Sequence, residues 1–306
     1  MMRSMYSAVS GLRNHQIRMD VIGNNIANVN TVAFKSSRVT FQDTFYQLIR
    51  SGAAPVQNGI GGTTPRQVGI GMAINTIDTM FTQGAVLPTG NFTDLMIQGD
   101  GLFILSPDPD TDITVSEDGT NLTETDDTVF FTRAGVFGFD AWGNLVNKSN
   151  GMYVLGLAYD SGGNLGNDCD AIRLEEIMRD LTGDDTWTIA NANTITINSQ
   201  GQVVVDGEPV AVVALAKFPN PEGLLKKGEN LFVYDPAAGS PQAGTASDSN
   251  AGLGNTTIVP GALEMSNVDL ALEFTEMITT QRGFQANART ITTSDEMLQE
   301  LVNLKR

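Results

Sequence analysis

Two apolar stripes at helical spacing, one at each end of the chain, constrain this sequence more than any other feature. Near the N-terminus, Met2, Met5, Val9, Leu12, Met19 and Ile26 recur at alternating intervals of three and four, broken only at Gln16 and Gly23. At the C-terminus, Leu270, Phe274, Met277, Phe284, Ala288, Ile291, Leu298 and Val302 do the same, broken at Gln281 and Asp295. Ile22 and Leu301 widen the two stripes and join them as candidate contact residues. A stripe of this period marks an amphipathic helix that must bury one face against another helix. Helices this long would extend about 40 to 50 Å at about 1.5 Å per residue. The long segment between them lacks the stripe, so the pattern is that of a subunit that assembles through its own termini.

A simpler alternative is that the two helices only pair with each other. Against an isolated pair stand Gly23, Asn24, Asn25, Asn28 and Asn30, all poor helix formers that would fray it. The reading therefore expects helical neighbours from other copies.

Charge sharpens the division. The 306 residues carry a net charge of −17, with 32 glycines, 41% hydrophobic and 17% charged residues, a globular and turn-rich composition. Arg3, Arg13, Arg18 and Lys35 against Asp20 give residues 1–35 a charge of +3. Residues 265–306 carry −2, which leaves −18 for the middle. Near-neutral helices can pack in many copies without accumulating repulsion, while an acidic middle keeps an outer surface solvated. Nucleic acid is disfavoured as a partner, because no basic patch is available to neutralise phosphates.

Cys169 is the only cysteine, so an internal disulfide is impossible and a free thiol is expected. No apolar run approaches the ~18 residues of a membrane span, so no membrane insertion is expected. The opening MMRSMYSAVSGLRNHQ has no continuous apolar core of a secretory signal, and an extracellular protein would need another export route.

Along the chain, the N-terminal helix is assigned to 1–35 and an extended connector to 36–75, where SGAAPVQNGIGGTTPRQVGIG is rich in Gly and Pro. Residues 76–250 read as a mainly β domain of short strands, including DLMIQG, LFIL, VFFTRAGVFGFD, MYVLGLAYD and LFVYD. NSQGQ and Asp206-Gly207 are hairpin turns. A return path poor in large apolar residues runs from 236, with a connector at 251–265, and a C-terminal helix over 266–306 is capped by Asp269. The fold class is α+β: long terminal helices in a coiled-coil-like stem, an extended Gly-rich connector and a mainly β middle domain.

Raw material for catalysis is poor, and neither a catalytic nor a metal site nor a cofactor is assigned. His15 is the only histidine, which rules out histidine triads or clustered histidine ligands within one chain. Asp108-x-Asp110-x-Asp112 has the opening of a calcium loop, but Ile113 and Gly119 stand where Gly and Glu are needed. The acidic run 106–128 is read as a solvated loop, with calcium binding by a secreted β domain as the competing idea.

The run MDVIGNNIANVNTVAFKSSRVTFQD, from Met19 to Asp43, resembles the N-terminal signature of the bacterial flagellar rod and hook family. EMSNVDLALEFTEMITTQRGFQANARTITTSDEMLQELVNLKR, from Glu264 to Arg306, is similar to its C-terminal signature. FTRAGVFGFDAWGNLVN resembles a hairpin of the family's β domain. On this resemblance Asn24, Asn25, Ala27, Asn28, Phe34 and Lys35 are signature residues. One departure is Ala33, where the family usually has Gly: if that position needs φ > 0, Ala33 is strained and the bend after the helix differs.

The resemblance implies a non-enzymatic structural subunit of the flagellar hook, with the distal rod as the alternative. It implies a homopolymer whose inner tube is built from the two terminal helices, exported without a cleaved signal through the flagellar type III apparatus to an extracellular position. Implied partners are the other axial proteins: rod, hook cap and hook–filament junction.

Overall fold

The computed structural model describes residues 2–55, 61–109, 113–115, 122–123, 129–160, 165–183, 187–189, 192, 194–246, 248 and 251–304. The chain divides into two compact units. The first comprises residues 1–29, 36–80 and 268–306, and the second 30–35 and 81–267.

The first unit is built on two helices, α1 (Met2–Ala27) and α3 (Leu270–Leu304). At 26 and 35 residues they are about 39 and 52 Å long. They run antiparallel, because Gly11 meets Asn287, His15 meets Gly283, Arg18 pairs with Glu276 at 3.0 Å and Asn25 bonds Glu273 at 2.8 Å. Asp269 caps α3 as expected, its Oδ1 accepting from the Ala271 and Leu272 amides.

The seam between the helices is made of smaller residues than periodicity suggests. In α1, Ala8, Gly11, Ile22 and Asn25 are buried, spaced in threes and fours about half-buried His15 and Arg18. In α3, the seam passes through buried Thr280 and Ser294 and half-buried Met277, Phe284, Asn287, Ile291 and Leu298. A Cβ on Gly11 would fall 2.5 Å from Asn287 Nδ2, and one on Gly283 would fall 2.8 Å from His15 Nε2. Glycine costs helix propensity of about 1 kcal/mol, and here it lets a polar side chain of the facing helix occupy the vacated space. His15 also meets the edge of the Phe41 ring at 5.7 Å, and its pKa is lowered by burial and then by the Arg18 charge.

Among the described residues of 36–75, expected as an extended connector, four segments are β-strands. Strand Ser37–Asp43 pairs antiparallel with Met72–Thr79, and beyond it Tyr46–Arg50 pairs with Arg66–Gly69. Gly52, Pro55, Gly61, Gly62 and Pro65 lie beyond the second ladder, around an isolated bridge between Ala53 and Thr63, and do not prevent the pairing.

The second unit contains a branched antiparallel sheet of fifteen strands among the described residues. Its main path runs Ile195–Ile197, Gln202–Val205, Glu208–Val213, Tyr153–Tyr159, Leu102–Ser106, Phe130–Thr132, Leu231–Val233 and Leu225–Gly228. Leu102–Ser106 is central, and its unbroken apolar run follows from burial on both faces. Phe103 and Leu105 join a cluster with Phe137, Leu145 and Val213, while Leu102 and Ile104 face one with Phe131, Leu155 and Phe218.

Both expected hairpins are present. Ile195–Ile197 pairs with Gln202–Val205, which pairs with Glu208–Val213 through Asp206 (φ 51°) and Gly207 (φ 95°). A helix, α2 (Leu174–Thr182), interrupts the region assigned to β structure; it buries Leu174 and Met178 and ends on left-handed Gly183. The return path also contains strands: Gln242–Gly244 pairs with Leu215–Lys217, Thr257–Pro260 with Leu95–Gln98, and Ala262–Glu264 with Val86–Pro88. Cys169 is buried in the core and forms no disulfide, and most of the acidic run, including Asp110, Asp112 and Gly119, lies outside the described residues.

Candidate subunit interface

The helices of the first unit leave much apolar surface uncovered by their own chain. Tyr6, Val9 and Ile17 are exposed on α1, and Leu272, Phe274, Ile278, Met297, Leu301, Val302 and Leu304 on α3. Isolated exposed apolar side chains are ordinary, but rows of them along two adjacent helices mark an interaction surface.

The expected contact residues divide between this surface and the seam. On α1 the expected stripe is offset by one residue from the buried row, about 100° around the helix. Ile22 is buried, Met5, Leu12, Met19 and Ile26 are half-buried and Val9 is exposed, while the side chain of Met2 lies outside the described residues. On α3, Met277, Phe284, Ile291 and Leu298 lie in the seam, and Leu270, Phe274, Leu301 and Val302 are exposed.

The signature residues have distinct local tasks. Asn25, 2% exposed, joins three elements: its amide donates to Ser37 O at 2.9 Å and Glu273 Oε1 at 2.8 Å, and its Oδ1 accepts from Ser37 N at 3.0 Å. The side chain thus acts as a piece of strand, tying α1 to both the arm and α3. The Glu273 carboxyl is raised above its ordinary value by burial, against the Asn25 hydrogen bond, and by the neighbouring Glu276. Asn25→Ala would leave buried backbone and carboxylate groups unpaired. We expect about 2–4 kcal/mol lost from the first unit in urea denaturation. Asn28 closes the end of α1 by donating to Asn24 O at 2.9 Å and Asn24 Oδ1 at 2.7 Å, and Asn24 and Ala27 are exposed.

Within the second unit, the segment 30–35 is held by a buried charge cluster. The side chains of Lys35 and Glu264 are 1% and 0% exposed, and Lys35 Nζ donates to Glu264 Oε1 and to Thr82 O, both at 2.7 Å. Arg133 Nε donates to Glu264 Oε2 at 2.7 Å, and its remaining guanidinium nitrogens reach the carbonyls of Gly101, Gly99 and Ile97. The Gly84 amide completes the shell on Glu264 Oε1 at 2.8 Å. Two cations therefore share one carboxylate. Burial alone would raise the Glu264 carboxyl, but the Arg133 and Lys35 charges outweigh it and hold it below the usual range. Burial and the Arg133 charge lower Lys35 despite the pull of Glu264.

The rest of the segment is clamped as closely. Lys226 Nζ donates to Lys35 O at 2.9 Å and lies 5.2 Å from the Phe34 ring centre, Asn230 Nδ2 donates to Val32 O at 2.9 Å, and Ala33 N donates to Glu264 O at 2.8 Å. Ala33 is buried with φ 57°, so the turn is retained and the alanine bears the strain. Left-handed geometry costs a non-glycine residue about 1–2 kcal/mol. Ala33→Gly would relieve it but lose a buried methyl, about 0.8 kcal/mol, and add unfolded-chain entropy of about 0.4–1 kcal/mol. The expected net change in thermal denaturation is therefore within about 1 kcal/mol.

Arg133 and Glu264 were absent from the residues expected to matter. Both lie inside the runs that carry the family resemblance, but 131 positions separate them, so no local pattern joins them.

Comparison with known proteins agrees with this anatomy. Residues 5–35 match the family described as flagella basal body rod protein, 120–205 the flagellar hook protein FlgE/F/G D1 domain, and 259–304 the flagellar basal body rod FlgEFG protein C-terminal. The flagellar basal-body rod protein FlgG of Bacillus subtilis is 42% identical over 308 residues, covering 100% of both chains. The flagellar hook protein FlgE of Borreliella burgdorferi is 32% identical over 464 aligned residues, again covering 100% of both. The FlgG rod protein of Agrobacterium fabrum is 33% identical over 97% of each. The chain belongs to the flagellar rod and hook family, whose members are structural proteins of the basal body and hook and not enzymes.

Proposed function

We propose that this chain is a subunit of the flagellar hook, polymerising into a tube that carries motor torque to the filament. The observation that carries the assembly reading is the apolar surface left open on α1 and α3, which neighbouring copies would cover in a coiled-coil-like inner wall. The contact residues proposed for that wall are Met2, Met5, Val9, Leu12, Met19, Ile22 and Ile26 on α1. On α3 they are Leu270, Phe274, Met277, Phe284, Ile291, Leu298, Leu301 and Val302. The acidic β unit would face outward, the subunits would leave the cell through the flagellar type III apparatus, and rod, hook cap and hook–filament junction proteins would be the axial neighbours.

The hook placement is favoured by the glycine-rich arm, residues 44–71, whose two-stranded ladder could yield as spacing between subunits changes along a bend. The distal rod placement is favoured by length. The Bacillus subtilis rod relative aligns over 308 residues and the Borreliella burgdorferi hook relative over 464, so the latter has long segments with no counterpart here.

Immunogold electron microscopy of isolated hook–basal bodies, with antibody to the β unit, separates the two. Gold along the curved segment outside the envelope is the expected result. Gold confined to the straight shaft would assign the chain to the rod, and gold on neither would overturn the axial reading.

A further inference from the structure

His15, the only histidine in the chain, lies apart from the exposed apolar surface, in the seam between α1 and α3. Its half-buried imidazole fills the space that Gly283 leaves open: a Cβ on Gly283 would fall 2.8 Å from His15 Nε2 and 2.9 Å from Cε1. The ring also meets Phe41 at 5.7 Å and an interplanar angle of 73°, and Phe41 in turn lies under the Arg18 guanidinium. Nδ1 of His15 is buried and has no hydrogen-bond partner among the described residues.

Such a site accepts a neutral imidazole and resists a charged one. A neutral ring can leave Nδ1 as a bare lone pair, whereas imidazolium carries a proton on both nitrogens and here would aim one at nothing. An unpaired buried donor on a charged group is more costly than an unmet lone pair. Burial, and then the Arg18 charge one turn along α1, hold the His15 pKa below the ordinary histidine value. The other charges on the elements packed around it are Glu276 and Arg282 on α3 and Arg38, Asp43 and Asp78 on the arm strands. Glu276 is taken by Arg18 at 3.0 Å and Asp78 by Arg38 at 3.4 Å, and of all these groups only Arg18 bears on the titration of the ring.

We propose that His15 is a proton-operated latch on the α1–α3 pair: neutral, it lets the helices close over Gly283, and protonated, it loosens them. Because its folded pKa is lowered, its contribution to stability is present above the ordinary value of 6.5 and is lost as pH falls through that value towards the folded pKa. Glu273, in the same seam, acts in the opposite sense, since its raised carboxyl sheds a buried charge as pH falls. The Glu264 cluster belongs to the second unit and keeps its contribution above about 4.5. A loss of helix pairing between about pH 7 and about pH 5 is therefore the mark of His15. The latch itself acts within one chain; its effect on a polymer rests on the axial reading above, in which a wall built from these helices would weaken on mild acidification.

The test uses the full-length chain. Proton NMR of the single imidazole, titrated in dilute protein, reads its pKa directly, and the expected value lies below 6.5 in native protein and returns to about 6.5 in urea. Urea unfolding of the first unit, followed by far-ultraviolet circular dichroism, is then compared at about pH 7.5 and about pH 5.5. The unfolding constant of the native chain should rise at least about threefold at the lower pH, while His15→Gln and His15→Phe, which cannot take up the proton, should not respond. The critical concentration for assembly should follow the same pattern. A native pKa at or above the ordinary value, or variants that keep the native pH response, would overturn the latch and leave the axial reading intact. A latch that operates in the dilute chain, with no polymer at any pH, would overturn the axial reading alone.

Discussion

Glu264→Gln is expected to remove about 3–5 kcal/mol from the stability of the β unit, the range for breaking a buried ion pair by deleting one partner. Glutamine keeps the size of the side chain and can still accept from Lys35 or Gly84. It removes the single negative charge serving two buried cations, and it turns an amide N–H toward either Lys35 or Arg133. Lys35→Met should cost less, about 2 kcal/mol, because it leaves Arg133 and Glu264 as a one-to-one pair and chiefly forfeits hydrogen bonds. The order of the two effects is the informative part. If Lys35 were the dominant anchor, methionine would be the worse change, and urea denaturation followed by near-ultraviolet circular dichroism would show it.

The same cluster gives the pH dependence a definite sign. The folded carboxyl of Glu264 titrates below its ordinary value near 4.5, so its stabilisation is fully present above that value. It is lost as pH falls through the folded pKa. Native protein should lose stability of the β unit in that acid range, and the Glu264→Gln variant should show a flatter profile there.

The second large effect concerns assembly. Ile278 lies on the open side of α3 with 57% of its surface exposed, so Ile278→Asp should change monomer stability by no more than about 0.5 kcal/mol. In a tube wall that covers this face, the substitution forfeits about 1.5–3 kcal/mol of apolar burial and adds the cost of burying a carboxylate. At about 1.4 kcal/mol per tenfold, the critical concentration should rise at least about a hundredfold. Sedimentation measures the assembly, and thermal unfolding of the dilute protein verifies that the fold is unchanged.

Periodicity located both terminal helices, and turn chemistry located the hairpins at Asn198–Gln202 and Asp206-Gly207, because those features depend on neighbours in sequence. The row that packs α1 against α3 is offset by one residue from the expected stripe. Hydrophobic stripes weight large side chains, whereas the closest approach between α1 and α3 runs through Ala8, Gly11, Gly283 and Ser294. Small residues pack a seam through what they lack, and a search for apolar bulk passes over them. Asn25 was flagged by resemblance, but its role as a three-way bridge follows only from where Ser37 and Glu273 lie in space.

The missed elements have similar causes. Glycine and proline argued against regular structure over 36–75, yet they gather beyond the paired segments and leave the ladder intact. The helix α2 was hidden by an acidic stretch in which Leu174 and Met178 are buried and Ile177 and Leu181 pack against the core beside them. The Lys35, Arg133 and Glu264 cluster joins three distant segments, and no local pattern predicts which buried cation finds which carboxylate.

Hydrogen exchange followed by mass spectrometry, comparing dilute monomer with assembled polymer, tests the central claim most directly. If the terminal helices form the wall of the assembly, peptides from 2–27 and 270–304 should exchange quickly in the monomer, where each helix has one narrow covered face, and slowly in the polymer. Polymer in which those peptides exchange as fast as in the monomer, while only the β unit gains protection, would contradict the account.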